Sequence, residues 1–276
     1  MIAIRSENNT GKIPVSVFII AKNEADRIGA CIDAVSSLVS EVVVIDSGSK
    51  DDTVSVAIDH GARVIFNAWP GFGLQKRFGE DQCLKDWILN IDADEIVSPE
   101  LRNELKLLLS SDAPKHAAYR VHIAEMFPGE LKPHRWAYSL SPVRLYKKTA
   151  GRYSKSPVHD RVDVNPDVTI GLLRHRIHHA SIRSLSHQIE KLNSYTDMQV
   201  ADLAARGRNL SKWRIFTEFP MAFFKVYFLR KHFLRGFYGV ATASTLAFIR
   251  HIRIAKHLER RKLDQEHQAG RKNSSL

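Results

Sequence analysis

Residues 87–95 read WILNIDADE. An apolar run broken only by Asn90 stops on Asp92, Asp94 and Glu95. A short apolar run of this kind reads as a strand buried on both faces of a sheet. Acids at its end then fall on the carboxyl edge of that sheet, where ligands bind in open α/β folds. Asp92 and Asp94 stand two residues apart, so in an extended or turning segment both carboxylates reach one divalent cation. Two other stretches have the same form. Residues 15–20 run apolar towards Glu24, and residues 42–45 stop on Asp46. Three such strand ends imply a nucleotide site with a metal over its phosphates. Each acid also has a plainer reading, as a helix cap or a solvated turn.

Working outward, residues 13–110 alternate between strand and helix patterns. Strands are expected at 13–20, 41–45, 63–66 and 87–91. Helices are expected at 24–39, where Ile28, Ile32, Val35 and Leu38 keep helical spacing, and at 53–60 behind a cap from Asp51 or Asp52. A glycine-punctuated loop at 71–83 runs into a helix, and another helix at 99–109 starts on Pro99. Strand–helix alternation implies a mostly parallel sheet flanked by helices. From 117 to 177 the pattern changes to short strands, at 119–123, 143–146 and 168–173, separated by Pro and Gly. A helix is expected over 184–206 with Leu185, Ile189, Leu192, Tyr195 and Met198 on its apolar face. The expected division is a catalytic domain at 13–183, with a nucleotide-binding half at 13–115 and an acceptor-side half at 116–183. A helical extension follows at 184–262, then a disordered polar tail at 263–276.

The chain has 276 residues and a net charge of +11. Fourteen Lys and Arg against Glu218 and Glu259 place +12 of that between residues 206 and 262, so the rest nets −1. Two cysteines, Cys31 and Cys83, are too few for a disulfide framework or a cysteine-based zinc site. Residues 1–12 are polar, with no apolar run of signal-peptide type. No stretch offers about 18 uncharged apolar residues, so no spanning helix is expected.

Three blocks, VSVFIIAKNE at 15–24, VVVIDSGSKDDT at 42–53 and WILNIDADE at 87–95, resemble the nucleotide-site blocks of family 2 glycosyltransferases, which have the GT-A fold. GFGLQKRFG at 71–79 resembles the loop-helix that carries a basic residue near the nucleotide. VRLYKK at 143–148, VHDRV at 158–162 and HASIRSLSHQIEKLN at 179–193 resemble later blocks of the lipopolysaccharide core branch, which includes β-1,4-glucosyltransferases. The resemblance covers roughly residues 13–250. It implies that Asp46 binds the nucleotide base, that Glu24 lies by the nucleoside, and that Asp92 and Asp94 hold ribose and the metal-bound diphosphate. In the family an Asn follows the basic residue of the loop, but here Phe78 follows Arg77. The contact could therefore come from Lys76 or Arg77. His179 matches a family position near the diphosphate or metal, which makes it a third candidate ligand of Mg²⁺ or Mn²⁺ beside Asp94 and Asp92.

Inverting transfer needs a base for the acceptor hydroxyl, normally a carboxylate on the far side of the donor sugar. Asp160 is the candidate, although the branch usually has the longer Glu there. Its plainer reading is a surface pair with Arg161 or Arg152, and Glu95 and Asp163 are the alternative bases. Arg144 could hold a donor or acceptor phosphate, or serve as an ion pair at a strand edge. His175, between Arg174 and Arg176, is expected to be structural.

Residues 213–238 interleave aromatics with cations. Phe216, Phe219, Phe223 and Tyr227 keep helical spacing, and the uncharged run at 236–249 is too short to span a bilayer. Such helices fit monotopic attachment to an anionic membrane surface. Packing on the catalytic domain is the plainer reading. No nucleic-acid fold signature accompanies the patch, so nucleic acid is not an expected partner. The expectation is thus an inverting, metal-dependent hexosyltransferase using a nucleotide sugar, UDP-glucose above others. Its acceptor would be a lipopolysaccharide core or other lipid-linked glycan at the cytoplasmic face of a bacterial inner membrane. A glycosyltransferase of another cell-surface polysaccharide and a non-catalytic nucleotide-sugar-binding protein are the alternatives.

Overall fold

A computed structural model describes residues 11–110, 114–156 and 160–273. Pro157, the Val158 and His159 of the VHDRV block, the polar stretch at 1–10 and the tail end at 274–276 lie outside the described residues. The chain divides into two units, Met1–Glu125 with Ser139–Ser181, and Met126–Tyr138 with Ile182–Leu276. Residues 126–138 were expected with the catalytic domain, but they belong to the second unit.

The first unit is α/β. Its strands are β1 (Ile13–Ala21), β2 (Val39–Asp46), β3 (Arg63–Phe66), β4 (Trp87–Asp92), β5 (Glu95–Val97), β6 (Ala118–Glu125), β7 (Ser139–Leu140), β8 (Val143–Lys147), β9 (Gly151–Tyr153), β10 (Val162–Val164) and β11 (Ile170–His179). Its helices are α1 (Ile28–Ser36), α2 (Thr53–Asp59), α3 (Phe72–Gln82) and α4 (Pro99–Leu109). A nine-stranded sheet runs β3-β2-β1-β4-β8-β6-β11-β5, with β7 beside β6, and β9 and β10 form a separate ribbon. The β3-β2-β1-β4 half is parallel. The other half is antiparallel apart from β6 with β11, so parallel pairing is concentrated in the half that carries β1 to β4.

Sequence explains this half well. Val17, Phe18 and Ile19 are consecutive and fully buried, as a strand covered on both faces requires. Helix α1 lays Ile28, Cys31, Ile32 and Val35 onto the sheet. Helix α4 does the same with Leu101, Leu105 and Leu109, and Ser98 Oγ caps it by accepting from the Leu101 N–H at 3.1 Å. Helix α1 starts four residues later than expected. The Asn23 and Glu24 N–H groups donate instead to Ser49 Oγ and Thr53 Oγ1 at 2.9 and 2.7 Å, which holds that segment in a turn.

The second unit holds α5 (Leu185–Ala205), α6 (Arg214–Phe224) and α7 (Gly236–Asn273), with a π-helical turn at Lys225–Leu229 and a 3₁₀ turn at His232–Arg235 between α6 and α7. The buried residues of α5 are Gln188, Thr196 and Val200, while Ile189 and Met198 of the expected apolar face are exposed. Helix α7 continues through the tail expected to be disordered, as far as Asn273. Lys, Arg, Glu, Gln and Leu dominate that stretch and are strong helix formers, and Lys262 and Glu266 pair one turn apart at 3.8 Å.

Candidate active site

The register places the acid-terminated strands side by side. On β1, Ala21 faces Asp46 of β2 and Ile20 faces Asp92 of β4. The expected carboxyl-edge cluster is therefore a consequence of the parallel pairing.

Asp92 takes two cations. Its carboxylate lies 2.8 Å from Lys76 Nζ and 2.9 Å from Arg144 Nη2. Burial alone would raise its pKa, but Arg144 and Lys76 outweigh that and hold the carboxyl well below the usual range. Lys76 is 1% exposed and also pairs with Asp160 Oδ2. Burial disfavours its charge, and Asp92 more than restores it, so the ammonium is held above its ordinary pKa. Helix α3 can carry Lys76 this deep because of its glycines. A Cβ on Gly73 would stand 2.2 Å from the Ser154 carbonyl, and one on Gly79 would stand 2.5 Å from the Phe18 ring. Lys76, then, is the basic residue of the loop block that reaches the acids. Arg77 faces a separate cavity of about 410 Å³, lined by Lys148, Arg152 and Lys155.

Asp94 points elsewhere. His179 Nε2 is 3.4 Å from its carboxylate and Arg27 Nη1 is 3.9 Å away. Burial would lower the His179 pKa, but its hydrogen bond and charge interaction with Asp94 raise it. Arg27 pairs with Glu24 as well and donates to the Ala180 carbonyl at 2.9 Å. Glu24, Arg27, Asp94 and His179 thus form one polar chain along the edge. Among the described residues no group of three or more His, Cys, Asp and Glu side chains is arranged to hold a metal. The donors that fit a divalent cation are Asp94 and His179. Mg²⁺ commonly takes one or two protein ligands and completes its shell with phosphate oxygens and water. Asp92, expected as a ligand too, is instead turned onto Lys76 and Arg144.

Asp46 is 4% exposed and already occupied. It accepts from Gly48 N–H at 2.8 Å and from Ser49 N–H and Oγ at 3.1 and 2.5 Å, closing the turn after β2. Arg144 follows its ion-pair reading. Its guanidinium donates at 2.9 Å to Asp92 and to Glu95, and also to Asn90 Oδ1. Glu95 is buried, and that burial pushes it up to about 7 against the pull of Arg144.

A cleft of about 690 Å³ opens beside these groups, lined among others by Asp92, Glu95, Arg144, Tyr153, Asp160 and His179. Asp160 is 32% exposed on its wall. The surface pairs foreseen for Asp160 go to other residues. Arg161 pairs with Asp163 at 2.9 Å, and Arg152 pairs with Asp81 and Glu80. His175 is 2.8 Å from Glu104, a structural contact away from the cleft.

Arg27, Asn90 and Tyr153 were missed in the sequence. Tyr153 donates its hydroxyl proton to Asn90 Oδ1 at 2.6 Å, and burial pushes the phenol up to about 12, so it remains a neutral donor. One signal was legible. A fully buried Asn90 inside an apolar strand needs partners; its Oδ1 accepts from Arg144 and Tyr153, and its Nδ2 donates to the Phe18 and Ile91 carbonyls.

Residues 16–165 match the Glycosyl transferase family 2 model. An uncharacterised glycosyltransferase of Rickettsia felis is 40% identical over 88% of each chain. The lipopolysaccharide core biosynthesis glycosyltransferase LpsC of Rhizobium meliloti is 30% identical over 86% of this chain and 90% of its own. The glucosyl-3-phosphoglycerate synthase structure of Mycobacterium tuberculosis covers 46% of this chain and 51% of its own at 27% identity. Its TM-score of 0.34 is too low to bear on this site. With acid-terminated parallel strands, a mixed sheet flanked by helices and a family match over more than half its length, the chain belongs to glycosyl transferase family 2 and has its GT-A α/β fold.

Proposed function

We propose that this glycosyltransferase moves a hexose, glucose from UDP-glucose, onto a lipopolysaccharide core sugar or a related lipid-linked glycan, with inversion at the anomeric carbon. The observation that carries the reading is Asp160, a carboxylate on the wall of the cleft that shares Lys76 with Asp92 at the nucleotide edge. Base and donor site are thereby tied to one buried cation. The similarity to LpsC supports the lipopolysaccharide acceptor.

In this reading Asp160 takes the proton of the acceptor hydroxyl as that oxygen attacks the anomeric carbon. The bond from that carbon to the diphosphate oxygen breaks on the opposite face, and the nucleoside diphosphate leaves with the bonding pair. Asp94 and His179 hold Mg²⁺ or Mn²⁺, which when bound offsets the charge of the diphosphate. Lys76 fixes the orientation of Asp160, and Arg144 with Lys76 fixes Asp92 for the ribose hydroxyls. Glu24, paired with Arg27, stands by the nucleoside. The Asp46 turn offers the base its backbone edge rather than a free carboxylate.

A donor screen tests this. Purified protein with Mn²⁺ is mixed in turn with UDP-glucose, UDP-galactose, UDP-GlcNAc and GDP-mannose, and thermal shift and nucleotide release are read. A metal-requiring shift and turnover with UDP-glucose above the others is expected. Binding without release of nucleotide, with or without acceptor, would favour the non-catalytic alternative.

A further inference from the structure

In the second unit the stretch from Trp213 to Val240 is unusual for a surface. Trp213 is 78% exposed, Phe216 and Phe237 are 72%, and Leu229 is 67%. Met221, Phe224 and Phe228 are exposed as well. Trp213 contacts Phe216 and Phe224 contacts Phe228, with ring centres 6.0 and 5.1 Å apart. Ring contacts of 5–6.5 Å run from Phe219 through Phe223, Tyr227 and Phe228 to Phe233. A monomer in water rarely leaves an apolar patch of this extent uncovered.

Charge narrows what covers it. The exposed charged residues among 212–240 are Lys212, Lys225 and Lys231, all cationic. The one acid of the stretch, Glu218, is buried and neutralised by Arg214 and Arg250. A self-associating apolar face would bring these cations together, whereas a surface carrying anions among apolar chains satisfies both features.

The structure adds a second segment, the excursion at 126–138. It is clamped to the helices by cations over rings. Arg230 lies 4.0 Å from the Tyr138 ring centre, Lys231 4.3 Å from Trp136, and Arg235 3.9 Å from Phe127. Arg235 also pairs with Glu130 at 2.6 Å. The excursion presents Leu131, 98% exposed, and Trp136, with Lys132 and Arg135 beside them. No helix among the described residues is long and apolar enough to cross a membrane.

We infer that the second unit is a monotopic membrane anchor with two parts. The aromatic face of residues 213–240 and the tip of the 126–138 excursion enter the headgroup and upper acyl region of an anionic bilayer together, with Lys225, Lys231 and Lys132 on lipid phosphates. This stands apart from the sugar-transfer reading and does not depend on it.

The test is co-sedimentation of the full chain with phosphatidylcholine vesicles, with and without phosphatidylglycerol. The wild type binds, and prefers the vesicles with phosphatidylglycerol. Phe224→Glu/Leu229→Glu lowers the partition coefficient by about a hundredfold, since each charge replaces a buried apolar group at the interface. Leu131→Glu alone lowers it by about tenfold. Lys225→Glu/Lys231→Glu removes the preference for phosphatidylglycerol. Nucleotide release from the donor in vesicle-free buffer is unchanged in Leu131→Glu, so loss of lipid binding separates from loss of catalysis. In the unsubstituted protein, lipids brominated in the upper acyl chain quench Trp136 and Trp213, which needs no folded variant. A wild type that ignores both vesicle types, or forms a dimer that Phe224→Glu/Leu229→Glu dissociates while lipid binding is absent, overturns the inference. Full binding by Leu131→Glu removes the excursion from it.

Discussion

Lys76 Nζ sits 2.8 Å from Asp92 while pairing with Asp160, so one buried ammonium bridges strand β4 and the segment before β10. Removing it leaves Asp160 without that cation and Asp92 with Arg144 alone. Lys76→Met is expected to lose about 1–3 kcal/mol of stability, since Asp92 keeps Arg144 and both carboxylates are partly exposed. Its transfer activity is expected to vanish with it. Lys76→Met/Asp160→Asn should recover part of that stability and none of the activity. Urea unfolding and donor turnover on both proteins check this, and equal stability of the two would break the link between Lys76 and Asp160.

Asp160→Asn keeps the shape and removes the proposed base. Turnover should fall by about 10²–10⁴-fold, the range general-base catalysis supplies. Affinity for UDP with Mn²⁺ should stay near wild type, because Asp160 pairs with Lys76 and His179 pairs with Asp94. Steady-state kinetics with isothermal calorimetry separates the two effects. A variant with full turnover would return Glu95 or Asp163 to the role.

How much of this was legible depended on range. Strand ends were readable because an apolar run that stops on Asp46 or Asp92 carries its own boundary. Parallel pairing then brings those ends to one edge without further information. Partner choice was not readable. Nothing local says that Lys76 rather than Arg77 turns inward, since Gly73 and Gly79 set the depth of α3 against Ser154 and Phe18. Nor does sequence tell that Arg144 is consumed by Asp92 and Glu95, 52 and 49 positions away. The apolar face assigned to α5 failed for a related reason. Periodicity favours Ile189 and Met198, but the packing around α5 buries Gln188 and Thr196 instead.

Asp94→Ala tests the proposed metal ligand apart from nucleotide binding. The fold should survive, since the contacts of Asp94 to His179 and Arg27, at 3.4 and 3.9 Å, are long for ion pairs. Calorimetry with UDP should show the Mn²⁺-dependent part of binding lost and the metal-free part retained. Asp92→Asn should behave differently, losing stability through Lys76 and Arg144 as well as affinity. Unchanged Mn²⁺-dependent UDP binding in Asp94→Ala would move the metal away from this acid.

His232 gives the second unit a pH dependence of its own. The ring is 1% exposed, packed edge-on to Phe127 at 5.7 Å, and burial with Arg235 and Arg230 pushes its pKa down to about 4. An unfolded chain returns it to about 6.5. Between those values the unfolded state binds a proton that the folded state refuses, so stability falls as pH falls. The contribution is fully present above about pH 6.5 and is lost progressively towards pH 4. His232→Gln removes the titration, and its stability should follow a flatter curve across that interval than the wild type. Denaturant unfolding at stepped pH, followed by fluorescence, reads the difference between the two curves. Parallel curves from pH 7 to 4 would mean that the buried ring accepts its proton without loss, and that Arg230 and Arg235 do not bear on it.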